Sequence, residues 1–436
     1  MKKILLILSS SFSFMNAQLN YSGEINPLVM TRTFDQSQIN LPFRILSLDL
    51  GYTVQSLDIK TVSAVEYRYD SSKSAYDLRE AYFAYYPEWG EVKLGKQIHV
   101  WGAVDGNNPT DNMNPYDYYY LFKPGAGQKI GTLSFSTKLY FGNSQLEGIF
   151  IPKHEINRIP YGEKDYPLAL PLEPRIEYPV QDEIEIGIRI QTSIGEADFG
   201  VSIFKGNDRI PSISTIKYYT SDTNIPDSYE MIIPQLGYRA TTVWGLDFVT
   251  FIGDFTLRGE GALFKTQSSI LELNLFKIPI NLYELHQDIV YYQFVLQGEY
   301  TTASDIILGA QLIGNKVGEE NYEWYHSSSK ELVNFPKLDK FRPGMGTPFA
   351  MFSELALILS SSGVLMDDRL ELKGNAMINL DKKGTMFSAS VGYSPWMNWK
   401  FELGLVKFNG DKDDLESAFT KMEDFSHLRV GMFYNF

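Results

Sequence analysis

A chain of 436 residues with a formal net charge of −14 is too acidic to offer the basic face that nucleic-acid binding needs, so no nucleic-acid partner is expected. It has no cysteine, which removes disulfides, thiolate metal sites and thiol nucleophiles. Hydrophobic residues make up 44%, charged residues 21%, and Tyr and Phe number 28 each, a balance open to one large β structure or to two domains.

The chain begins with Lys2 and Lys3, then an apolar run from Ile4 to Phe14. That run has the length of an export signal and is too short to span a bilayer. Residues 1–17 read as a signal peptide, with Ala17 before the cut and Gln18 as the mature start, leaving 18–436 as one domain. No later segment offers the roughly 18 consecutive apolar residues of a transmembrane helix, so any crossing falls to strands.

Period-2 alternation recurs along the rest of the chain. Ile184, Ile186, Ile188 and Ile190 alternate with Glu183, Glu185, Gly187, Arg189 and Gln191. Tyr292, Phe294, Leu296 and Gly298 alternate with Gln293, Gln297 and Glu299. The first half is expected to hold strands near 20–31, 42–57, 60–69, 76–86, 89–96, 129–141, 143–152, 182–193 and 196–205. The second half is expected to hold strands near 238–252, 254–267, 288–302, 304–315, 347–362, 366–380, 384–394, 396–408 and 427–436. That makes about eighteen, with sixteen the alternative, an even number as single-chain bacterial barrels have.

Connection lengths separate a barrel from a sandwich. Short turns fall near Asp58, Pro87-Glu88, Gly142-Asn143, Gly195, Gly253-Asp254, Ala303-Ser304, Gly363 and Pro395. The intervening connections are long, except one near Lys382. Short turns at one end and long loops at the other are the mark of an all-β transmembrane antiparallel barrel. Tyr85, Tyr86 and Trp89, Phe251 and Phe255, and Trp396 and Trp399 flank three of the short turns, where an interfacial aromatic girdle belongs.

On this reading the polar strand faces line the lumen. They carry Glu66, Arg68, Lys138, Glu183, Glu185, Arg189, Arg258, Glu260, Glu299, Arg369, Glu371, Lys373, Lys400, Glu402 and Arg429. Such charges facing lipid would cost about 2–4 kcal/mol each at mid-bilayer. They serve either as ion pairs that stiffen the wall or as a transverse field across a constriction.

The long connection 97–128 carries Asp105, Asn107, Asn108, Asp111, Asn114 and Asp117, followed by Tyr116, Tyr118, Tyr119, Tyr120 and Phe122. A barrel of this size otherwise encloses a wide aqueous channel, and the loop is expected to fold inward and narrow it. Its carboxylates suggest a mild preference for cations or neutral polar solutes. Asp105–Asp111 also has the oxygen ligands of a calcium loop, but its Gly is misplaced for an EF-hand and the later Glu is missing, so turn chemistry is the better reading. No metal or other cofactor is expected. The histidines lack His-Glu-x-x-His spacing, and no Gly-x-Ser-x-Gly, phosphate loop or dinucleotide fingerprint occurs. His99 reads as a strand-end residue at the interface. A barrel enzyme, the alternative, would need His154 or His326 to meet a Ser or Asp at the loop rim. A non-conducting binding or structural barrel is a third reading.

Arg79-Glu80-Ala81-Tyr82, Gly95-Lys96-Gln97, Trp101-Gly102 and Asn114-Pro115-Tyr116-Asp117 together resemble a family of porin-like bacterial outer-membrane proteins. The last strand, with Leu428, Val430, Met432, Tyr434 and Phe436 on one face, resembles the terminal assembly signal of such barrels. The resemblance implies a passive outer-membrane channel for small polar solutes or ions in a Gram-negative cell. It also implies contact with outer-membrane lipid, delivery by the barrel-assembly machinery through Tyr434 and Phe436, and room for a homotrimer, the common porin assembly.

Overall fold

The structure is a computed structural model. It describes residues 17–436 apart from 72–73, 122, 124, 169, 171–172, 175, 179, 181, 221–229, 269–280, 328, 335–340 and 416. The expected signal peptide, Ala17 excepted, and Phe122 of the aromatic run lie outside the described residues.

Alternating sequence becomes alternating wall. Eighteen antiparallel strands close into one barrel. Ala17–Ile25 continued by Leu28–Arg32 is β1, followed by Phe43–Val54 (β2), Leu57–Tyr67 (β3), Ser74–Tyr85 (β4), Gly90–Gln97 (β5) and Thr132–Phe141 (β6). Ser144–Ile151 (β7), Glu185–Ile194 (β8), Ala197–Asn207 (β9), Ala240–Ile252 (β10), Phe255–Gln267 (β11) and Asn281–Thr301 (β12) follow. Ile307–His326 (β13), Leu355–Leu365 (β14), Leu370–Asn379 (β15), Thr385–Tyr393 (β16), Trp399–Asn409 (β17) and His427–Asn435 (β18) complete the wall. The barrel shuts where β18 meets β1, with Ile25 opposite Tyr434 and Leu28 opposite Gly431. Closure leaves no strand edge unpaired.

The side chains sort by face. Ile186, Ile188 and Ile190 of β8 point outward and exposed, while Glu185 and Arg189 are buried inside. Leu428, Val430 and Phe436 are exposed on the outer face of the last strand. The aromatics Tyr85, Tyr86, Trp89, Phe255 and Trp396 are exposed beside the short turns, as an interfacial girdle requires, whereas Phe251, though exposed, falls in the inward register of its strand. Among the described residues no helix is long and apolar enough to cross a membrane.

Several boundaries differ from the sequence expectation. Residues 347–354 are not strand; Pro348–Met351 form a 3-10 turn inside the barrel, and β14 starts at Leu355. Residues 366–369 form a turn, with left-handed backbone at Met366, Asp367 and Asp368. That places Arg369 on the exposed turn rather than on the lumen wall. β12 and β13 run far beyond their expected loop-side ends, and Ser212–Thr220 and Glu230–Gly237 form an added hairpin that joins the start of β12. A second core lies within the lumen, where the loop between β5 and β6 packs Trp101 and Met113 against Ile149, Ile151, Phe204, Val243 and Phe264.

Candidate functional site: a loop folded across the lumen

The loop between β5 and β6 (98–131), the third on its side of the barrel, crosses to the far wall, as its length led one to expect. Its turn around 103–110 closes on Glu260 of β11. That carboxylate accepts from the amides of Ala103 at 2.5 Å and Val104 at 2.8 Å, from Asn108 Nδ2 at 2.7 Å and from Thr110 Oγ1 at 2.8 Å. Gly102, in left-handed backbone, lies so close to Glu260 that a Cβ there would stand 2.2 Å from its Oε1. Only glycine tolerates both the backbone and the approach.

The remaining polar residues of the loop are held as firmly. Asp105 pairs with Arg258 at 2.6 Å and accepts from Gln297 Nε2 at 2.8 Å. Arg258 also reaches Glu299 at 3.2 Å. Asn107 donates to Gln311 Oε1 at 2.7 Å and accepts from Thr347 Oγ1 at 3.1 Å. Asp111 pairs with Lys129 of the same loop. Asn114 accepts from the His99 amide at 2.6 Å and donates to the carbonyls of Gln97 and Ile130. Asp117 and Glu66 share Arg158 at 3.0 Å and 2.9 Å, and Tyr120 donates to Glu66 at 2.8 Å. Burial pushes the Asp111 and Asp117 carboxyls up, and the Lys129 and Arg158 cations pull them back part of the way. Each of the loop's three aspartates thus meets a cation, with Asp105 sharing Arg258 with Glu299 and Asp117 sharing Arg158 with Glu66.

Of the expected lumen charges, Glu185 is sealed with Arg209 at 2.6 Å and His154 at 2.8 Å, and Arg189 pairs with Asp247 at 2.8 Å. Lys138 reaches Glu147 at 3.6 Å, and Arg68, just beyond β3, meets Glu163 at 2.8 Å. Glu371 holds Lys373 at 2.5 Å and contacts Lys400, while Arg429 meets Glu402 at 2.6 Å. His99 is not at the interface; it is buried in the lumen with Nε2 2.9 Å from Ser134 Oγ. His154 is spent on Glu185 and Arg209, and His326 contacts Ser329 Oγ at 3.3 Å within one exposed turn.

The sequence did not single out Arg158, Arg209, Lys129 or Thr347. Arg158 lies 92 residues from Glu66, and Thr347 lies 240 from Asn107, so no local pattern marks them.

The two sides of the lumen differ in access. Lumen-facing Glu260, Val243, Phe264, Gln293 and Val295 are buried under the loop. Lumen-facing Asn20, Ser22, Ser360, Lys373 and Asn375 are exposed on the opposite side. Beside that side Lys123 of the loop has Arg44, Arg79 and Arg429 near it and Glu24 as the facing acid; burial and those cations lower its ammonium. On the loop side a cavity of about 270 Å³ is lined by Tyr118, Tyr161, Tyr166, Phe341, Arg239 and Arg342 among others.

Fold and loop together define a porin-type barrel: eighteen strands, a polar lumen and an inward third loop. The fold is similar to that of a BenF-like porin from Pseudomonas fluorescens Pf-5, with TM-score 0.50, 9% identity and coverage of 97% of this chain and 98% of that one. Two Pseudomonas aeruginosa proteins, OccK2 (OpdF) and OccK11 (OpdR), each align with TM-score 0.49 over 96% of this chain and 97% and 95% of theirs, at 9% and 11% identity. At these identities the likeness is one of fold. No protein-family model matches the chain, and no curated protein matches it in sequence.

Proposed function

We propose that the chain is a passive outer-membrane channel of a Gram-negative cell for small polar solutes or ions. The observation that carries the reading is the third loop, tied by Glu260, Asp105 and Asn107 to the wall opposite its own strands. That seals one side of the lumen and leaves solutes the side formed by β14–β18 and β1–β3, narrowed by a loop in which Asn107, Asp111, Asn114 and Asp117 are buried as anchors and Asp105 is exposed.

The apolar outer face and the turn-side aromatic girdle support seating in lipid. Around Lys123 the arginines meet acids in turn, Arg44 and Arg79 at Asp77 and Arg429 at Glu402, with Glu24 facing Lys123, so charges of both signs stand beside the route. Diffusion down a gradient suffices, and no reaction is implied. The outward face of β18, ending at Tyr434 and Phe436, supports delivery by the barrel-assembly machinery, and a homotrimer is the assembly to test by cross-linking in the membrane.

Single-channel current through the refolded protein in a planar bilayer tests the channel. Discrete steps are expected; a folded barrel that passes no current overturns it. A reversal potential in a salt gradient then reads which ion the lumen favours.

A further inference from the structure

Lysines inside and outside this barrel are treated differently. On the lumen side Lys60, Lys93, Lys138, Lys373 and Lys400 each have a carboxylate in ion-pair range. Lys205, Lys265 and Lys316 have none among the described residues. All three stand on the outer wall. Lys205 alternates with exposed Val201 and Ile203 of β9, Lys265 with exposed Leu263 of β11, and Lys316 lies opposite outward Tyr292.

They also lie close together on alternate strands of one stretch of wall. Lys205 and Lys265 both pair with Thr242 of β10 from either side, and Lys316 is one outward position below that rung. Strands two apart are separated by about 10 Å. Trp244 and Tyr292, exposed outward, lie directly beneath. From Phe255 to Lys265, at about 3.4 Å per residue and a tilt of about 40°, β11 rises roughly 26 Å. That is the height of a barrel's apolar band, about 25 Å. The lysines therefore sit at its loop-side edge, where their stems lie along apolar wall and their ammoniums reach the headgroups. Glu319 lies on the rung of Lys205 and Lys265, two strands from Lys265, and Asp288 stands diagonal to Lys265; neither is in ion-pair range of a lysine among the described residues. The turns at the other end are acidic, with Glu88, Glu196, Asp254, Asp305, Asp367 and Asp368.

We infer that Lys205, Lys265 and Lys316 form a docking surface for a phosphate-bearing lipid of the outer leaflet. The lipid's acyl chains lie on Ile203, Trp244, Leu263 and Tyr292, and its phosphates supply the counter-charge the protein withholds. The inference rests on the membrane reading above but not on conduction. In the test, the full chain in detergent is offered diphosphoryl lipid A, its dephosphorylated form and phosphatidylcholine. Bound lipid is counted by native mass spectrometry. The wild type is expected to retain the diphosphoryl lipid about tenfold better than the other two.

The Lys205→Gln/Lys265→Gln/Lys316→Gln variant is expected to lose that advantage while keeping its gel shift and single-channel current. The three Lys→Arg replacements should retain the advantage, separating charge from folding. Equal retention by the Gln variant, equal retention of the dephosphorylated lipid, or displacement by excess inorganic phosphate overturns the inference. Loss of current in the wild type refutes the channel and leaves the lipid result standing.

Discussion

The same alternating strand makes two kinds of lumen wall. On β7–β13 the inward residues are covered by the third loop, and their charges are buried: Arg189–Asp247 and Arg209–Glu185 are nearly inaccessible to water. On β14–β18 and β1–β3 inward charges nearer the short turns keep water, as in Lys373–Glu371 and Lys60–Asp49, while Arg44 and Glu66 nearer the loops are buried. The difference lies in what covers the wall, because polar and apolar residues alternate on both. Buried charge is tolerated where every atom meets a donor or a counter-ion. Glu260 accepts from two backbone amides and two side chains, and this is what lets a polar loop leave water.

That comparison breaks most easily at Glu260. Glu260→Ala leaves the amides of Ala103 and Val104 and the groups of Asn108 and Thr110 without their acceptor. Each buried donor left unpaired costs about 1–3 kcal/mol. The loop is expected to detach, the single-channel conductance to rise and the trace to become noisy. A quiet trace of wild-type conductance would mean that Asp105 and Asn107 hold the loop without Glu260. Next in size is Arg189→Ala, which strands Asp247 on the sealed side. Removing one member of a buried pair costs about 3–5 kcal/mol, read as a lower urea midpoint for the gel shift of the folded barrel. A loss below about 1 kcal/mol would show that water reaches this side.

Lys123→Glu tests the open side instead. Lys123 stands beside Arg44, Arg79, Arg429 and Glu24, and the substitution changes the local balance by two charges. The reversal potential in a salt gradient is expected to move toward cation preference, with Lys123→Gln between the two. An unmoved potential would place the route elsewhere in the barrel.

Much of the wall was legible in the sequence because lipid-like and aqueous faces impose a strict period of two. Each of the eighteen strands overlaps a segment that alternation and turn spacing marked, though several ends differ, and the inward loop follows from the length of 97–128. The misses share one physical cause. Asn281–Gln287 and Gly318–His326 extend β12 and β13 above the apolar band, where the outward face no longer needs apolar residues and the adjacent Glu319 and Glu320 break the period, although Leu282, Leu285 and Trp324 are buried. Residues 347–354 alternate in sequence, yet Gly346 donates to Asn112 and the Thr347 amide to Gln293 inside the barrel, a tertiary demand that no local period records. The loop aspartates were readable as a set. Their pairing with Arg258, Lys129 and Arg158 was not, because Arg258 and Arg158 come from distant parts of the chain.

The smallest effect expected is the one that sharpens the comparison most. Lys373→Ala removes a lumen lysine paired with Glu371, as Arg189→Ala removes a lumen arginine paired with Asp247. Here the lysine side chain is 48% exposed and that of Glu371 30% exposed, and Lys400 remains beside the carboxylate. An exposed pair contributes about 0–1 kcal/mol, screened further by salt. The urea midpoint should barely move, and the reversal potential should shift slightly toward cations as one positive charge leaves the solvated wall. Measured at low and high salt, the Lys373→Ala shift should fade with ionic strength while the Arg189→Ala loss persists. A Lys373→Ala cost as large as that of Arg189→Ala would mean that both halves of the wall are sealed, and the solute route would have to run elsewhere.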